Sequence, residues 1–530
     1  MIPETAWRST PAGSGPGAET CSIPAILDRA AREHGDAPAL ASLGETITFT
    51  ELRNQVRTIG HAVAQAVPPS ATVATLFPHS PSGIAAILGC LVSGRLCIPL
   101  NAGEPPDRLA LLLEDAAPAL VLAAHNPGTI RFLNPAALAP AAQAPAAQAP
   151  APQAPAPLAP APAAWQPPGR DPDSPCVVHF TSGSSGRPKG IVMSQYSVLH
   201  RALHCVDDIG LRRGDRLLAT TTASVGSGLS FVLAALAAGA TLAVVDIATE
   251  GANALLRLAA RERITVLIAN ANISRSLTGL PAAPRAFAAL RLLRCGAMSL
   301  PAADIRRFRA RLPMDCAISH TYASTEASVI AAAIVPHGAE DLTPASSEAP
   351  NVAAGTIAPG QQYALLDQDD RPVPDGTPGE MVLRGRHIAL GEWRLGTLHP
   401  GRMTPDPARP HSRIFRTGDI MRLDRAGLLH FVGRADRQVK NNGVRIEPAE
   451  IEAVLRSAAG VSDAAVVTDE AGRLHAFVAG PDTVRPTLAE HLRARLPPTL
   501  RPARITMLPA LPLLPSGETD LQALRTRTAQ

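Results

Sequence analysis

The period of apolar positions switches between helix-like and strand-like along the chain. Ile23 to His34 reads as a helix, Thr72 to Phe77 as a strand, Ser82 to Val92 as a helix and Leu96 to Leu100 as a strand. This alternation, from Ser22 to Ala124, predicts an α/β layer structure with a largely parallel sheet. It resumes between Asp171 and about Arg434. There Phe231 to Val245, broken by small residues, reads as a buried helix-strand pair rather than a membrane span.

Two stretches break the pattern. Met1 to Cys21 is rich in Gly, Pro, Thr and Ser, has no basic region leading into an apolar run, and reads as a disordered tail rather than a signal peptide. Pro135 to Pro168 is almost all Ala, Pro and Gln, with Ala-Ala-Gln-Ala-Pro beginning at Ala141 and again at Ala146. Proline at that density blocks helix and sheet ladders, so a solvated surface insertion of extended character is expected.

From Leu428 onward the chain reads as a run of short elements. Strands are predicted at Leu428 to Val432, Gln438 to Lys440, Val444 to Ile446, Ala464 to Val467 and Leu474 to Val478. Helices are predicted after Pro448, with Ile451, Val454 and Leu455 on one face, and from Pro486 to Leu496. The whole is an α/β chain with a large N-terminal domain of layered sheets and helices and a smaller α+β C-terminal domain. The boundary falls at Arg434 to Arg437.

Composition narrows the function. The chain has 530 residues, too many for one core, and 46% of them are hydrophobic, enough for several. A net charge of +4 on 49 basic and 45 acidic residues argues against nucleic acid as the main partner, since that needs a concentrated basic face. Cys21, Cys90, Cys97, Cys176, Cys205, Cys295 and Cys316 show no metal-ligand spacing and fit a reducing compartment, so a soluble cytoplasmic protein is expected.

The densest candidate chemistry follows the apolar run Val177-Val178-His179-Phe180. It is Thr181-Ser182-Gly183-Ser184-Ser185-Gly186-Arg187-Pro188-Lys189-Gly190. Glycines let backbone N–H groups turn toward one point, hydroxyls add donors, and Arg187 and Lys189 add charge, which together suit a polyphosphate. It is not the P-loop pattern, because no Gly-Lys-Ser/Thr follows.

This loop resembles the signature loop of the adenylate-forming superfamily, which includes acyl-CoA synthetases and nonribosomal peptide synthetase adenylation domains. Further blocks occur in the family's order, so the resemblance covers nearly all of Ser22 to Leu524. His320-Thr321-Tyr322-Ala323-Ser324-Thr325-Glu326 is similar to its Tyr-Gly-x-Thr-Glu segment. The resemblance implies that Tyr322 packs on adenine, Thr325 touches phosphate and Glu326 holds Mg2+, a hard cation that prefers oxygen. Taken alone, Thr-Glu after an aromatic reads as a helix start.

Phe415-Arg416-Thr417-Gly418-Asp419 is similar to the block whose Asp accepts the ribose hydroxyls, though a bare Thr-Gly-Asp is also a common turn. Gly433 to Glu447 resembles the hinge segment. It implies Asp436 as hinge, Arg434 and Arg445 near the nucleotide, and Lys440 facing the site in the second half of the cycle. By that resemblance residues 22–434 form the AMP-binding domain with 135–168 as an insertion, 435–437 the hinge, and 438–530 a lid domain.

The implied reaction has two stages: a carboxylate attacks the α-phosphorus of ATP, and a thiol then displaces AMP. Positioning and charge neutralisation carry the first stage. Two departures matter. In Leu513-Leu514-Pro515-Ser516-Gly517-Glu518-Thr519-Asp520 the flanks of the family's lysine motif are present, but Glu518 stands where the lysine belongs, which weakens adenylation. Counting back from Gly239-Ala240-Thr241-Leu242, the position of the Asp that holds a substrate α-ammonium falls on Gly226, beside Val225. An aryl, fatty or small organic acid is therefore expected.

Gly296 and Ala297, within Cys295-Gly296-Ala297-Met298, complete the implied pocket and look like the acyl-CoA synthetase pattern. Gln438-Val439-Lys440 looks like the peptide-synthetase branch instead. No carrier segment follows Gln530, so the expected acceptor is CoA or the phosphopantetheine of a separate carrier protein. A catalytically degenerate nucleotide- or acyl-binding partner in a biosynthetic assembly is the alternative. His200, His204 and His320 are weaker acid-base candidates.

Overall fold

The computed structural model describes residues 2–11, 21–124, 132–133, 158–181, 188–296, 300–335, 352–435, 439–441, 444–446, 448–469, 473–496, 501–514 and 518–528. The large N-terminal domain contains three sheets. In the first, Pro38–Ala41, Thr241–Ala243, Arg216–Ala219, Val266–Asn270, Leu292–Gly296 and Ala317–Ser324 run parallel in that spatial order. In the second, Leu120–Ala123, Thr72–Phe77, Leu96–Asn101 and Pro175–Thr181 run parallel, and Lys189–Ser194 and Gly391–Arg394 extend it antiparallel. These strands read as continuous apolar runs because both faces are buried.

Between the sheets lie helices with little polar surface. Pro81–Val92 and Gly226–Ala238 are buried along almost their whole length. The strand-helix alternation read from the sequence is present with boundaries shifted by a residue or two, as element ends commonly are. A third, antiparallel sheet contains Gln362–Leu366, Gly379–Gly385, Arg413–Leu423 and Leu429–Arg434.

The small C-terminal domain is α+β. Asp463–Thr468 pairs antiparallel with Leu474–Ala479, which pairs parallel with Arg504–Leu508, a strand the sequence pattern missed. Ile451, Leu455, Val466, Leu488 and Leu492 fill its core. Val439–Asn441 and Val444–Ile446 form a hairpin.

Two expectations are corrected. The segment read as a disordered tail is docked over residues 2–11: Arg8–Ser9 adds to the edge of Gln362–Leu366, Glu4 bonds Arg384 at 2.6 and 2.8 Å, and Arg384 lies 4.4 Å over the Trp7 ring. Strand addition satisfies an open sheet edge and needs no periodicity of its own. The end of the Ala/Pro stretch is also attached, since Trp165 packs on the core and meets His61 edge-on at 5.6 Å. One large aromatic side chain buries enough area to hold a segment that proline otherwise keeps extended. Among the described residues no helix is long and apolar enough to cross a membrane.

Candidate active site

The glycine and hydroxyl-rich segment lies between the two arms of an antiparallel strand pair, Pro175–Thr181 and Lys189–Ser194. Thr181 and Lys189 are the last paired residues of its two arms, and Thr181 Oγ1 donates to the Lys189 carbonyl at 3.3 Å. Ser182, Gly183, Ser184, Ser185, Gly186 and Arg187 lie outside the described residues. The arms hold position because Val177, Val178, Ile191 and Val192 are fully buried on both sides of the ladder.

Lys189 is already engaged. Its Nζ lies 2.7 Å from Oε1 of Glu392, whose Oε2 takes Arg394 Nη2 at 2.6 Å. Burial pushes the Glu392 carboxyl up, but the two cations outweigh it and hold the group below its ordinary value. Glu392 therefore stays charged, and an anion binding at Lys189 competes with a buried carboxylate.

Thr325 and Glu326 do not start a helix. They occupy the turn between Ala317–Ser324 and Ser328–Val335, where Ser324 pairs with Ser328. Ser324 Oγ accepts from Ala327 N at 3.1 Å, and the Glu326 carbonyl accepts from Ala389 N at 2.8 Å. Ser328 closes the turn at φ +68, a left-handed conformation that a non-glycine residue adopts only when its surroundings enforce it. Arg201, a buried residue of helix Gln195–Ile209, donates Nη2 to the carbonyls of Ser324 at 3.0 Å and Thr325 at 2.6 Å. Sequence reasoning missed Arg201. Its one signal is a cation on the buried face of an otherwise amphipathic helix.

The turn connects to a second carboxylate. Tyr322, four residues before Glu326, donates its hydroxyl to Asp419 Oδ2 in a short bond, and Arg434 Nη1 donates to Oδ1 at 2.8 Å. Burial and then the adjacent Asp419 charge hold the Tyr322 phenol well above its ordinary value, so it remains a donor. Thr417 Oγ1 fixes the Asp419 backbone by accepting from its N–H at 3.0 Å.

Gly226 opens helix Gly226–Ala238, and the half-buried Val225 caps it without a side-chain bond. Gly296 ends the parallel strand Leu292–Gly296. Ala297 and Asp436 lie outside the described residues, and for Lys440 and Arg445 only the strand backbone is described. Glu518 is exposed, its backbone carbonyl accepts from Leu514 N at 2.7 Å, and Leu513 forms an antiparallel bridge with Thr519.

The histidine candidates are structural in this geometry. His320 Nδ1 bonds the Ala353 carbonyl at 3.0 Å inside the sheet. His200 stacks on His387 at 4.6 Å and on His204 at 6.0 Å, and burial holds all three below the ordinary imidazole value. Among the described residues no three His, Cys, Asp or Glu side chains are placed to hold a metal ion. A lone Glu326 fits Mg2+ of the kind that keeps water and phosphate oxygens as its other ligands.

Comparison with known proteins places the chain in a family. A family model of the AMP-binding enzyme matches residues 27–393, and one of the AMP-binding enzyme C-terminal domain matches 450–518. A dimodular nonribosomal peptide synthase of Bacillus subtilis (strain 168) is 30% identical over 476 residues, 87% of this chain and 19% of the relative. An isonitrile lipopeptide synthase of Streptomyces coeruleorubidus is 33% identical over 518 residues, 94% of this chain and 33% of the relative. The chain thus spans a third or less of the length of these relatives. Klebsiella oxytoca NpsA, in complex with 3-hydroxyanthranilyl-AMSN, has the same fold with a TM-score of 0.80 at 20% identity, covering 96% of this chain and 99% of that one.

Proposed function

The chain belongs to the family of AMP-binding enzymes, and on that premise we propose that it is an ATP-dependent ligase that activates a carboxylic acid as its acyl-adenylate. The acid's carboxylate oxygen forms a bond to the α-phosphorus, the bond to the bridging oxygen breaks, and pyrophosphate leaves. A thiol sulfur then attacks the acyl carbon, AMP leaves, and the thiol proton passes to solvent.

One observation carries the reading. The buried carboxylate of Asp419 is held between Arg434 and Tyr322, and Tyr322 lies on the strand that leads into the Thr325–Glu326 turn. A fixed carboxylate of this kind can accept ribose hydroxyls with its remaining lone pairs. Backbone N–H groups of the loop after Thr181, with Lys189, neutralise the polyphosphate, and Thr325 donates to it. Mg2+ on Glu326 would draw charge from the phosphate oxygens. Lys440 belongs to the second stage and Arg445 lies near the nucleotide, with residues 435–437 as hinge and 438–530 as the moving unit.

The acceptor is a thiol of CoA or of a carrier protein, and the peptide-synthase relatives favour a carrier. Glu518 places a negative charge where the family supplies a lysine, so adenylation is slow. It also favours a second reading, a nucleotide- or acyl-binding partner that no longer turns over. Incubation with ATP, Mg2+, CoA and mixed carboxylic acids, with AMP and thioester followed by mass, tests the two. AMP and thioester formation supports the ligase; ATP binding without AMP from any acid supports the second reading; failure to bind ATP or AMP removes both.

A further inference from the structure

Resting on the acid-activation reading, we propose that His179, Arg201 and Gly226 form a recess for a hydroxyl group carried beside the carboxyl of the substrate, making the chain selective for 2-hydroxy acids over 2-amino acids.

His179 lies in the strand that leads into the glycine loop and has no exposed surface. Its Nδ1 is 2.9 Å from the Ser224 carbonyl, which can only accept, so Nδ1 carries the proton. Burial pushes its pKa down to about 4, so the ring is neutral near pH 7 and Nε2 presents a lone pair. That lone pair has no partner among the described residues. A buried acceptor without a donor is costly, and a donor is the group it calls for.

Arg201 supplies the opposite chemistry. Nη2 is committed to the Ser324 and Thr325 carbonyls, while Nε is buried without a partner among the described residues. Burial lowers its pKa to about 10, which leaves it charged near pH 7.

Gly226 keeps the space between them. A Cβ built on it would lie 3.4 Å from His179 Cδ2, 3.4 Å from Thr325 Cγ2 and 3.6 Å from Arg201 Nη1. These are ordinary contact distances, so a small group there would touch all three. Gly226 has no left-handed φ that would require glycine, and its consequence is room rather than backbone freedom. Thr325 belongs to the turn assigned to the phosphates, so the recess opens beside the reacting carboxyl.

The charges choose the occupant. An ammonium would be buried against the Arg201 guanidinium, and none of the three atoms nearest the Gly226 Cβ position belongs to a carboxylate; the Glu326 charge, which also acts on Arg201, is assigned to the metal. A second carboxylate would suit Arg201 but would face the His179 lone pair. A hydroxyl donates to His179 Nε2 and accepts from Arg201 Nη1, the guanidinium nitrogen at the recess, so it complements the ring lone pair and the cation at once.

The test is calorimetric binding of four acyl-sulfamoyladenosines to the full chain, bearing lactoyl, alanyl, propanoyl and malonyl groups. These acyl groups are small and nearly equal in size. The lactoyl compound should bind at least about tenfold tighter than the other three, because a site built to hydrogen-bond a hydroxyl rejects analogues lacking it. In Gly226→Ala, whose added methyl makes no clash, the lactoyl and propanoyl compounds should bind within about threefold of each other. Equal or tighter binding of the alanyl, propanoyl or malonyl compound, or a lactoyl preference that survives Gly226→Ala, overturns the recess and leaves acid activation standing. Binding of none of the four overturns both.

Discussion

Asp419 and Arg434 stand directly opposite each other across an antiparallel strand pair, with Arg434 Nη1 donating to Asp419 Oδ1 at 2.8 Å. The register fixes both backbones, so the pair loses little side-chain entropy when it forms. Tyr322 adds a third member from another sheet and ties the turn bearing Glu326 to the strand bearing Asp419.

That link has a measurable size. Tyr322→Phe removes a hydrogen bond to a charged acceptor and should destabilise the fold by about 1.5–3 kcal/mol. Urea unfolding of Tyr322→Phe, Asp419→Asn and the double variant should show coupling rather than addition. Strictly additive losses would mean that the hydroxyl does not act on this carboxylate.

Glu518 offers a gain-of-function test. Residue 518 is exposed and its backbone carbonyl accepts from Leu514 N, so Glu518→Lys should leave the fold unchanged. Restoring a cation beside the α-phosphate should recover about 3 kcal/mol, a hundredfold or more in acid-dependent pyrophosphate exchange. Equal exchange by wild type and variant would remove Glu518 as the cause of slow adenylation.

Acid should loosen the buried histidine cluster. His387 is held at about 4 by burial, then by His204 and Arg201, against an ordinary value of 6.5. The unfolded chain therefore binds more protons between those two values, so stability is full above the higher and falls as pH drops toward the lower. One such group accounts for roughly 3 kcal/mol. Melting temperature should fall from pH 7 to pH 5, and less steeply in His387→Phe. An unchanged slope in that variant would assign the acid sensitivity elsewhere.

Gly228 and Gly279 should respond oppositely to alanine. A Cβ at Gly228 would lie 1.9 Å from the Thr222 carbonyl oxygen, a backbone atom that cannot swing aside, whereas nothing lies within 4 Å at Gly279. Gly228→Ala should cost roughly 1–3 kcal/mol by overpacking. Gly279→Ala should be neutral or slightly stabilising. Thermal melts of both variants decide it, and an intact Gly228→Ala would show that the start of helix Gly226–Ala238 can shift.

The signals legible in the sequence are local. The apolar runs that end at Thr181 and begin at Lys189 read as strands, and they pair antiparallel with Thr181 opposite Lys189. The Thr325–Glu326 pair was legible as a motif but not as a shape. Its helix-like residue preferences are overridden by pairing across Ser324 and Ser328.

The sequence by itself determined the layered α/β order and the family, because periodicity and short motifs act over a few residues. Only the tertiary structure decided that Arg201 supports a turn 124 residues away, that Lys189 is paired with Glu392, and that Glu4 and Trp7 close a sheet edge near Arg384. Those partners are chosen by burial: a charge removed from water must find its opposite or a carbonyl wherever the packing brings one, and no local pattern records where that is.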